Sequence, residues 1–491
     1  MKWENDKKIF LFSIIILAAI FIFKTVQLSQ IIWYFPTSDY PVYILRLFFL
    51  ETQGYNIPIA NWYDGWLPFL HYGPAFFFFA QIPYKLFGNL NLAYYLGFLG
   101  NYILGFIGFY FIGKAEKWTI LKRIYLFLLF YVCPITLLWF NEMGRTPEMF
   151  AWSILILIIA LIFTYRKKEL DTKFILLFGL LSGILILSHL SEYILAGIIT
   201  LGLFLTKPLK DKIKIIIAAL IGLAISSFWL IPFLRTSGDV SFDAYAPLAL
   251  MLQFPTERII SIVFSLFFII MLVWYLKDKK WDKKEVIFFA PLLVTMFLYM
   301  TAIGIHIPLF NKVNTRVYGI LAFLFGTILF LKLRYINYKK IIKIGIILVT
   351  IAILAITVVR YPTMPFPFET NDTYQDVVEI FPEVNEKIFL ICPEIERQGA
   401  ADLYSYGAIY YDISTPIGFF GSAETPELRE ARLALYEGLE QQNCTQLIEN
   451  TQKTTAKEFL GCTPANCEFL ASCDLILEAE TENACVFSIP N

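Results

Sequence analysis

The residues that could do chemistry in this chain are a few carboxylates, each with polar company. Asp39 lies in Ser38-Asp39-Tyr40-Pro41. Glu142, Arg145 and Glu148 lie in Asn141-Glu142-Met143-Gly144-Arg145-Thr146-Pro147-Glu148. His71 and Tyr72 stand together before Gly73-Pro74, His189 comes three residues before Glu192, and Arg316 follows Thr315. A positioned carboxylate can take the proton of an attacking hydroxyl, which contributes roughly 10²–10⁴-fold in rate. Guanidinium groups suit a phosphate, which they bind through charge-assisted hydrogen bonds. Asp39 with Glu148 could instead hold a divalent ion such as Mg2+ or Mn2+, since hard cations take oxygen ligands.

Each residue also has a plainer reading. Asp39 precedes an amphipathic run and could cap its helix. Glu148 follows Pro147, where an acid favours a helix N-terminus, and Arg145 could simply pair with it. His189 and Glu192 could form a polar turn, His71 could be a packing histidine, and Arg316 could anchor a span at the headgroups. No single residue decides between these readings. What does is whether the elements around them bring them together.

Those elements belong to a membrane protein. The chain has 491 residues, 58% of them hydrophobic and 16% charged, and its mean hydropathy is +0.64. Soluble domains carry about 25% charged residues. Apolar runs of roughly 20 residues mark spans at about 9–28, 90–113, 123–140, 149–165, 174–187, 193–206, 213–234, 259–276, 286–305, 317–331 and 341–359. The expected fold is therefore a polytopic α-helical membrane protein with about eleven transmembrane helices.

The first run lacks a small-residue cleavage site and reads as a retained anchor. Lys24, in its far third, could snorkel to the interface. Phe69–Phe87 is apolar but contains His71, Pro74, Gln81 and Pro83. It reads as an outer helix dipping into the interface, as does Asp39–Leu50, with Val42, Leu45, Phe48 and Phe49 on its buried side. The first outer loop is thus 31–89.

Lysine and arginine fix the orientation. Segments 1–8, 114–123, 166–173, 207–214, 277–284 and 332–340 hold 24 basic residues, whereas 31–89, 140–147, 188–192, 236–256 and 305–315 hold 4. The N-terminus is therefore expected in the cytoplasm. All three histidines and Asp39, Asp64, Glu142, Arg145, Glu148, Glu192 and Arg316 then fall on the outer side. Ionisable residues near membrane depth line cavities or pair with each other. A proton-driven transporter would place them at the midplane, but the spans here are apolar through their centres.

Residues 361–491 hold 22 acidic and 6 basic residues and six of the seven cysteines. They read as an extracytoplasmic mixed α/β domain following a membrane domain over 1–360. Helices are expected at 374–381 and 426–442, and strands at 387–392 and 408–412. An even cysteine count in a polar domain predicts at least two disulfides in an oxidising compartment. Cys462, Cys467 and Cys473 lack the tight C-x2-C pairs of a zinc site.

One span followed by an outer loop opening Ser38-Asp39-Tyr40-Pro41-Val42-Tyr43-Ile44-Leu45-Arg46 resembles the GT-C superfamily of membrane glycosyltransferases. That group includes oligosaccharyltransferase catalytic subunits and protein mannosyltransferases. Trp66-Leu67-Pro68 and His71-Tyr72-Gly73-Pro74 are similar to the tyrosine-proline segment of the same loop. Gly144-Arg145-Thr146-Pro147-Glu148-Met149-Phe150-Ala151 and Leu187-Ser188-His189-Leu190 resemble a GT-C-like membrane family named after a 6-pyruvoyl-tetrahydropterin synthase-related domain.

The resemblance implies transfer of a sugar from a polyprenyl-phosphate-linked donor to a glycan, lipid or protein acceptor at the outer face of the cell membrane. Asp39 would serve catalysis with Glu148, or with Glu142. Arg316, Arg145, His71, Tyr72, His189, Trp62 and Trp66 would bind substrate. Nucleic acid is not expected as a partner. The sequence departs from the family at Asp39-Tyr40, where an Asp-Glu pair is absent, and it lacks the Trp-Trp-Asp signature of oligosaccharyltransferases. A non-catalytic GT-C-like subunit that binds lipid-linked glycan or a partner protein is the alternative.

Overall fold

The computed structural model describes residues 2–30, 39–62, 65, 67–70, 72–236, 255–307, 310, 313, 315–333, 372–391, 397–416 and 426–490. The chain begins with α1 (Lys2–Gln30), α2 (Tyr40–Thr52), α3 (Ala75–Phe87), α4 (Leu90–Ala115) and α5 (Ile120–Tyr131). A short helix α6 (Pro134–Thr136) runs into a π-helix (Leu137–Glu142). Then follow α7 (Thr146–Tyr165), α8 (Thr172–Ser188), α9 (Leu190–Thr206), α10 (Leu209–Thr236), α11 (Pro255–Asp278), α12 (Lys283–Met300) and α13 (Thr315–Lys332).

Helices occupy ten of the eleven expected spans, and 341–359 lies outside the described residues. Among the described residues, five helices are long and apolar enough to cross a membrane, or up to six with one bent pair. That pair corrects an expectation. The run 123–140 is not one straight helix, because α5 stops at Tyr131 and the chain turns by 53° before Pro134–Asn141. Pro134 has no N–H to continue the ladder, and its ring clashes with the preceding turn.

At one end of the bundle, buried charges tie four helices together. Arg166 lies 3.0 Å from Glu285 and 3.8 Å from Glu116, and Lys332 lies 3.1 Å from Glu116. The site lies at the other end.

Helix α2 departs from a one-sided interfacial helix. Tyr43, Ile44, Leu47 and Leu50 join the bundle core, while Leu45 and Phe49 join a second apolar core built largely from the C-terminal part. The spacing explains this: positions 43, 44, 47 and 50 share one helix face, and 45 and 49 share another. Each enclosed Leu or Phe contributes about 1.5–3 kcal/mol. Helix α3 has 13 residues, about 20 Å, too short for a ~30 Å hydrocarbon core.

The C-terminal part comprises α14 (Asp372–Ile380), β1 (Ile388–Ile391), α15 (Arg397–Tyr410), α16 (Pro426–Glu440), α17 (Cys444–Thr451), β2 (Glu458–Gly461), α18 (Pro464–Ala471), β3 (Ile476–Glu480) and β4 (Cys485–Ser488). The four strands make one sheet in the order β1-β2-β4-β3. β1 runs parallel to β2, and the other pairs are antiparallel. Disulfides join Cys444 to Cys473 and Cys467 to Cys485, and Cys462 is also disulfide-bonded.

The strand expected at 408–412 is instead the end of α15 and the turn after it. Leu403, Tyr404 and Ala408 are buried on a helix that packs against α2. The contact is sealed by Thr415 N–H donating to Asn61 O at 3.0 Å.

Candidate functional site

Two loops are stitched together to make the site. Asp39 N–H donates to Met143 O at 2.9 Å, and the Tyr40 hydroxyl donates to Asn141 O at 2.9 Å. Gly144 adopts φ +67, and a Cβ there would lie 2.8 Å from the Tyr40 ring. Only glycine fits both that backbone and that approach. Helix α4 braces the second loop from behind: Tyr94 hydroxyl donates to Thr146 Oγ1 at 2.8 Å, and Tyr102 hydroxyl to Asn141 Oδ1 at 2.8 Å.

The structure brings Asp39, Arg145, Glu148 and Arg316 into one cluster. Arg145 Nε lies 3.8 Å from Asp39 Oδ2, and Arg145 also lies 3.7 Å from Glu148 Oε2. Arg316 donates to the same Glu148 oxygen at 2.9 Å. Both guanidiniums lie over Trp139, with Cζ 3.6 Å (Arg316) and 4.3 Å (Arg145) from the ring centroid. Such contacts contribute about 0.5–2 kcal/mol. Trp139 is absent from the sequence-derived site. It reads there as one more aromatic in an apolar run, and Pro134 was the available signal that this run bends.

Asp39 stands at the N-cap of α2 but makes no side-chain cap hydrogen bond. It accepts instead from Tyr43 hydroxyl at 3.2 Å, and Tyr43 shares a 2.8 Å hydroxyl contact with Tyr72. Burial pushes the Asp39 carboxyl above its ordinary range, more than Arg145 and Tyr43 draw it down. Arg46 lies 4.2 Å from the Tyr72 centroid.

His189 forms the junction of α8 and α9, and its Nδ1 lies 2.5 Å from Glu192 Oε2. Gly73 of the first loop packs on that junction: a Cβ there would lie 2.2 Å from Leu187 O and 2.7 Å from Ser188 O.

Exposure separates the members. The side chains of Arg145 and His189 are 31% and 29% exposed, while those of Asp39, Glu148 and Arg316 are 8%, 2% and 6% exposed.

Other expected site residues stand elsewhere. Trp62 is enclosed in the second core, against Phe49 and Tyr404, with 1% exposure, so it offers no face to a sugar. Trp66 and His71 lie outside the described residues, as does the Glu142 side chain. Asp39 and Glu148 do not fit a cation site as arranged. Each carboxylate already has a guanidinium within 4 Å, and no group of three or more His, Cys, Asp or Glu gathers among the described residues.

This architecture is a GT-C fold. The oligosaccharyltransferase of Archaeoglobus fulgidus, solved with zinc and sulfate, shares it with a TM-score of 0.51 and 13% identity, over 90% of this chain and 67% of that one. ArnT from Cupriavidus metallidurans, solved in the apo state, matches with a TM-score of 0.46 and 11% identity, over 96% of this chain and 100% of that one. No protein of curated function matches the sequence.

Residues 69–362 match the membrane protein family described as 6-pyruvoyl-tetrahydropterin synthase related domain, and the chain belongs to that family. The matched range takes in Arg145, Glu148, His189 and Arg316. Asp39 precedes it.

Proposed function

We propose that this protein is a glycosyltransferase that moves a sugar from a polyprenyl-phosphate-linked donor to an acceptor hydroxyl on the extracytoplasmic face. The observation that carries the reading is the enclosed Asp39–Arg145–Glu148–Arg316 cluster, which three distant parts of the chain build at one end of the bundle. The membrane domain would cover 1–360 with about eleven spans, and the extracytoplasmic domain 361–491. The N-terminus would be cytoplasmic, as the basic residues of the loops suggest.

The chemistry follows from the exposures. The acceptor oxygen attacks the anomeric carbon as its proton passes to an Asp39 carboxylate oxygen. The bond from that carbon to the phosphate oxygen breaks, and the polyprenyl phosphate leaves with the electron pair. Arg145, the accessible guanidinium, neutralises the charge that develops there. Glu148 and Trp139 fix Arg316 behind it. A Mg2+ or Mn2+ ion would enter this scheme only if Arg145 released Asp39.

The test is transfer of labelled sugar from a polyprenyl-phosphate donor by purified protein in detergent. Product formation supports the reading, and its absence across a panel of polyprenyl-phosphate hexoses and pentoses refutes it. Orientation has its own check. In intact cells, an impermeant thiol reagent should reach a cysteine introduced near Asp243 and miss one near Asp282.

A further inference from the structure

The mechanism above leaves Glu192 unused. This carboxylate sits on the first turn of α9 with 0% exposure. Burial pushes its carboxyl above the ordinary range, against the pull of His189. A carboxylate buried this way loses its charge or pairs with a cation. The group beside it is the imidazole of His189, at 2.5 Å.

The two ends of this pair differ. Glu192 is sealed and His189 is partly open. The groups acting on His189 come from three elements: Glu192 from its own helix, Glu148 from α7 and Arg316 from α13. Burial draws the imidazole down, and the two carboxylates outweigh burial and Arg316, so its pKa rises above the ordinary histidine value. Meanwhile Asp39 and Glu148 cancel the charges of Arg145 and Arg316. An anionic ligand therefore meets little surplus positive charge from those four residues alone.

We infer that Glu192 is a positioning residue that holds His189 as an imidazolium, and that this imidazolium is the second cation, after Arg145, for the phosphate of the lipid-linked donor. The inference rests on the reading of the site as a polyprenyl-phosphate site. The enclosed carboxylate fixes the ring through Nδ1 and leaves the opposite edge to the ligand. The sign of the pH dependence follows. The imidazolium persists below the raised pKa of His189 and is lost as pH rises through it, so phosphate binding weakens on the alkaline side.

The experiment uses the full chain in detergent micelles with its three histidines labelled at Cε1. His189 is assigned by loss of its signal in His189→Gln. In the unsubstituted protein, His189 should titrate above the ordinary value of about 6.5. Glu192→Gln should lower that midpoint by about one unit or more, as expected for loss of an adjacent opposite charge.

Dolichyl phosphate is the binding probe. Binding should fall as pH rises through the His189 midpoint, and Glu192→Gln should weaken it roughly threefold to eightfold near pH 7, following that shift. Adding His189→Lys to Glu192→Gln should restore binding, because an ammonium keeps its charge without the carboxylate. Phosphatidylglycerol at the same mole fraction should not displace the probe. Displacement would show a general headgroup site and overturn the assignment to the donor. A midpoint that Glu192→Gln leaves unmoved, with binding intact, overturns this inference alone. A midpoint that moves, with no dolichyl phosphate bound at any pH, overturns both the phosphate role and the proposed function.

Discussion

Asp39→Asn separates catalysis from architecture. The side chain caps nothing, and Asn retains an acceptor for the Tyr43 hydroxyl that now donates at 3.2 Å. The substitution removes one ion pair, with Arg145 at 3.8 Å. At that distance two charges attract by about 4 kcal/mol at an effective dielectric of 20. Arg145 is partly open to solvent, and measured exposed pairs contribute only about 1 kcal/mol or less. Against this stands the burial of the carboxylate, the larger effect, since the net pKa of Asp39 is raised.

A raised folded-state pKa means that the contribution of Asp39 to stability is present at low pH and lost as pH rises through that pKa. The ionised carboxylate therefore opposes folding at neutral pH, and a neutral Asn should leave the melting temperature unchanged or higher. Sugar transfer should fall by roughly 10²–10⁴-fold, the contribution of a general base. The assays are thermal unfolding in detergent and transfer from a labelled polyprenyl-phosphate donor. Full transfer by the Asn protein would refute the assignment of Asp39 as base. A large loss of stability would refute the account of its burial.

Glu148→Gln breaks a buried pair and leaves the Arg316 charge uncompensated. It should destabilise by about 3 kcal/mol, seen as a lower melting temperature. Gly73→Ala drives a Cβ into the backbone carbonyls of Leu187 and Ser188, where no flexible side chain can yield. It should destabilise by about 1–3 kcal/mol and lower transfer, because Tyr72 and the His189 junction are forced apart. Mass spectrometry of non-reduced peptides should recover the Cys444–Cys473 and Cys467–Cys485 pairs. Finding those four thiols free would contradict the C-terminal fold.

The cluster was legible because polarity is scarce in an apolar chain. Once the lysines and arginines set the loops apart, Asp39, Arg145, Glu148, His189 and Arg316 had to share a face. The pairing of Arg145 with Glu148 was legible from their spacing, but that of Arg316 with Glu148 was not. Arg316 reads as an open phosphate ligand, whereas Glu148 and Trp139 enclose it, and Arg145 takes the accessible place.

Trp139 escaped because an aromatic in a hydrophobic run looks like lipid-facing material. Only the turn at Pro134 re-aims it. The residues 408–412 read as a strand because a short apolar run does not separate the two periods, and packing on α2 settles the matter. Trp62 reads as a sugar platform because nothing local says that Tyr404 will cover it.

Helix α2 carries Asp39 at its start and is held between parts of the chain made early and parts made more than 300 residues later. Its inner face meets the bundle, but Leu45, Phe49 and Trp62 are covered by residues numbered 377 and above. During synthesis that apolar face waits uncovered while the rest of the membrane chain is inserted. It is closed only when α15 arrives and Thr415 pairs with Asn61. The C-terminal fold therefore supplies the outer wall of the helix that carries Asp39, and not the partners of Asp39 itself. A chain truncated before residue 377 would leave the Leu45 and Phe49 face of α2 uncovered.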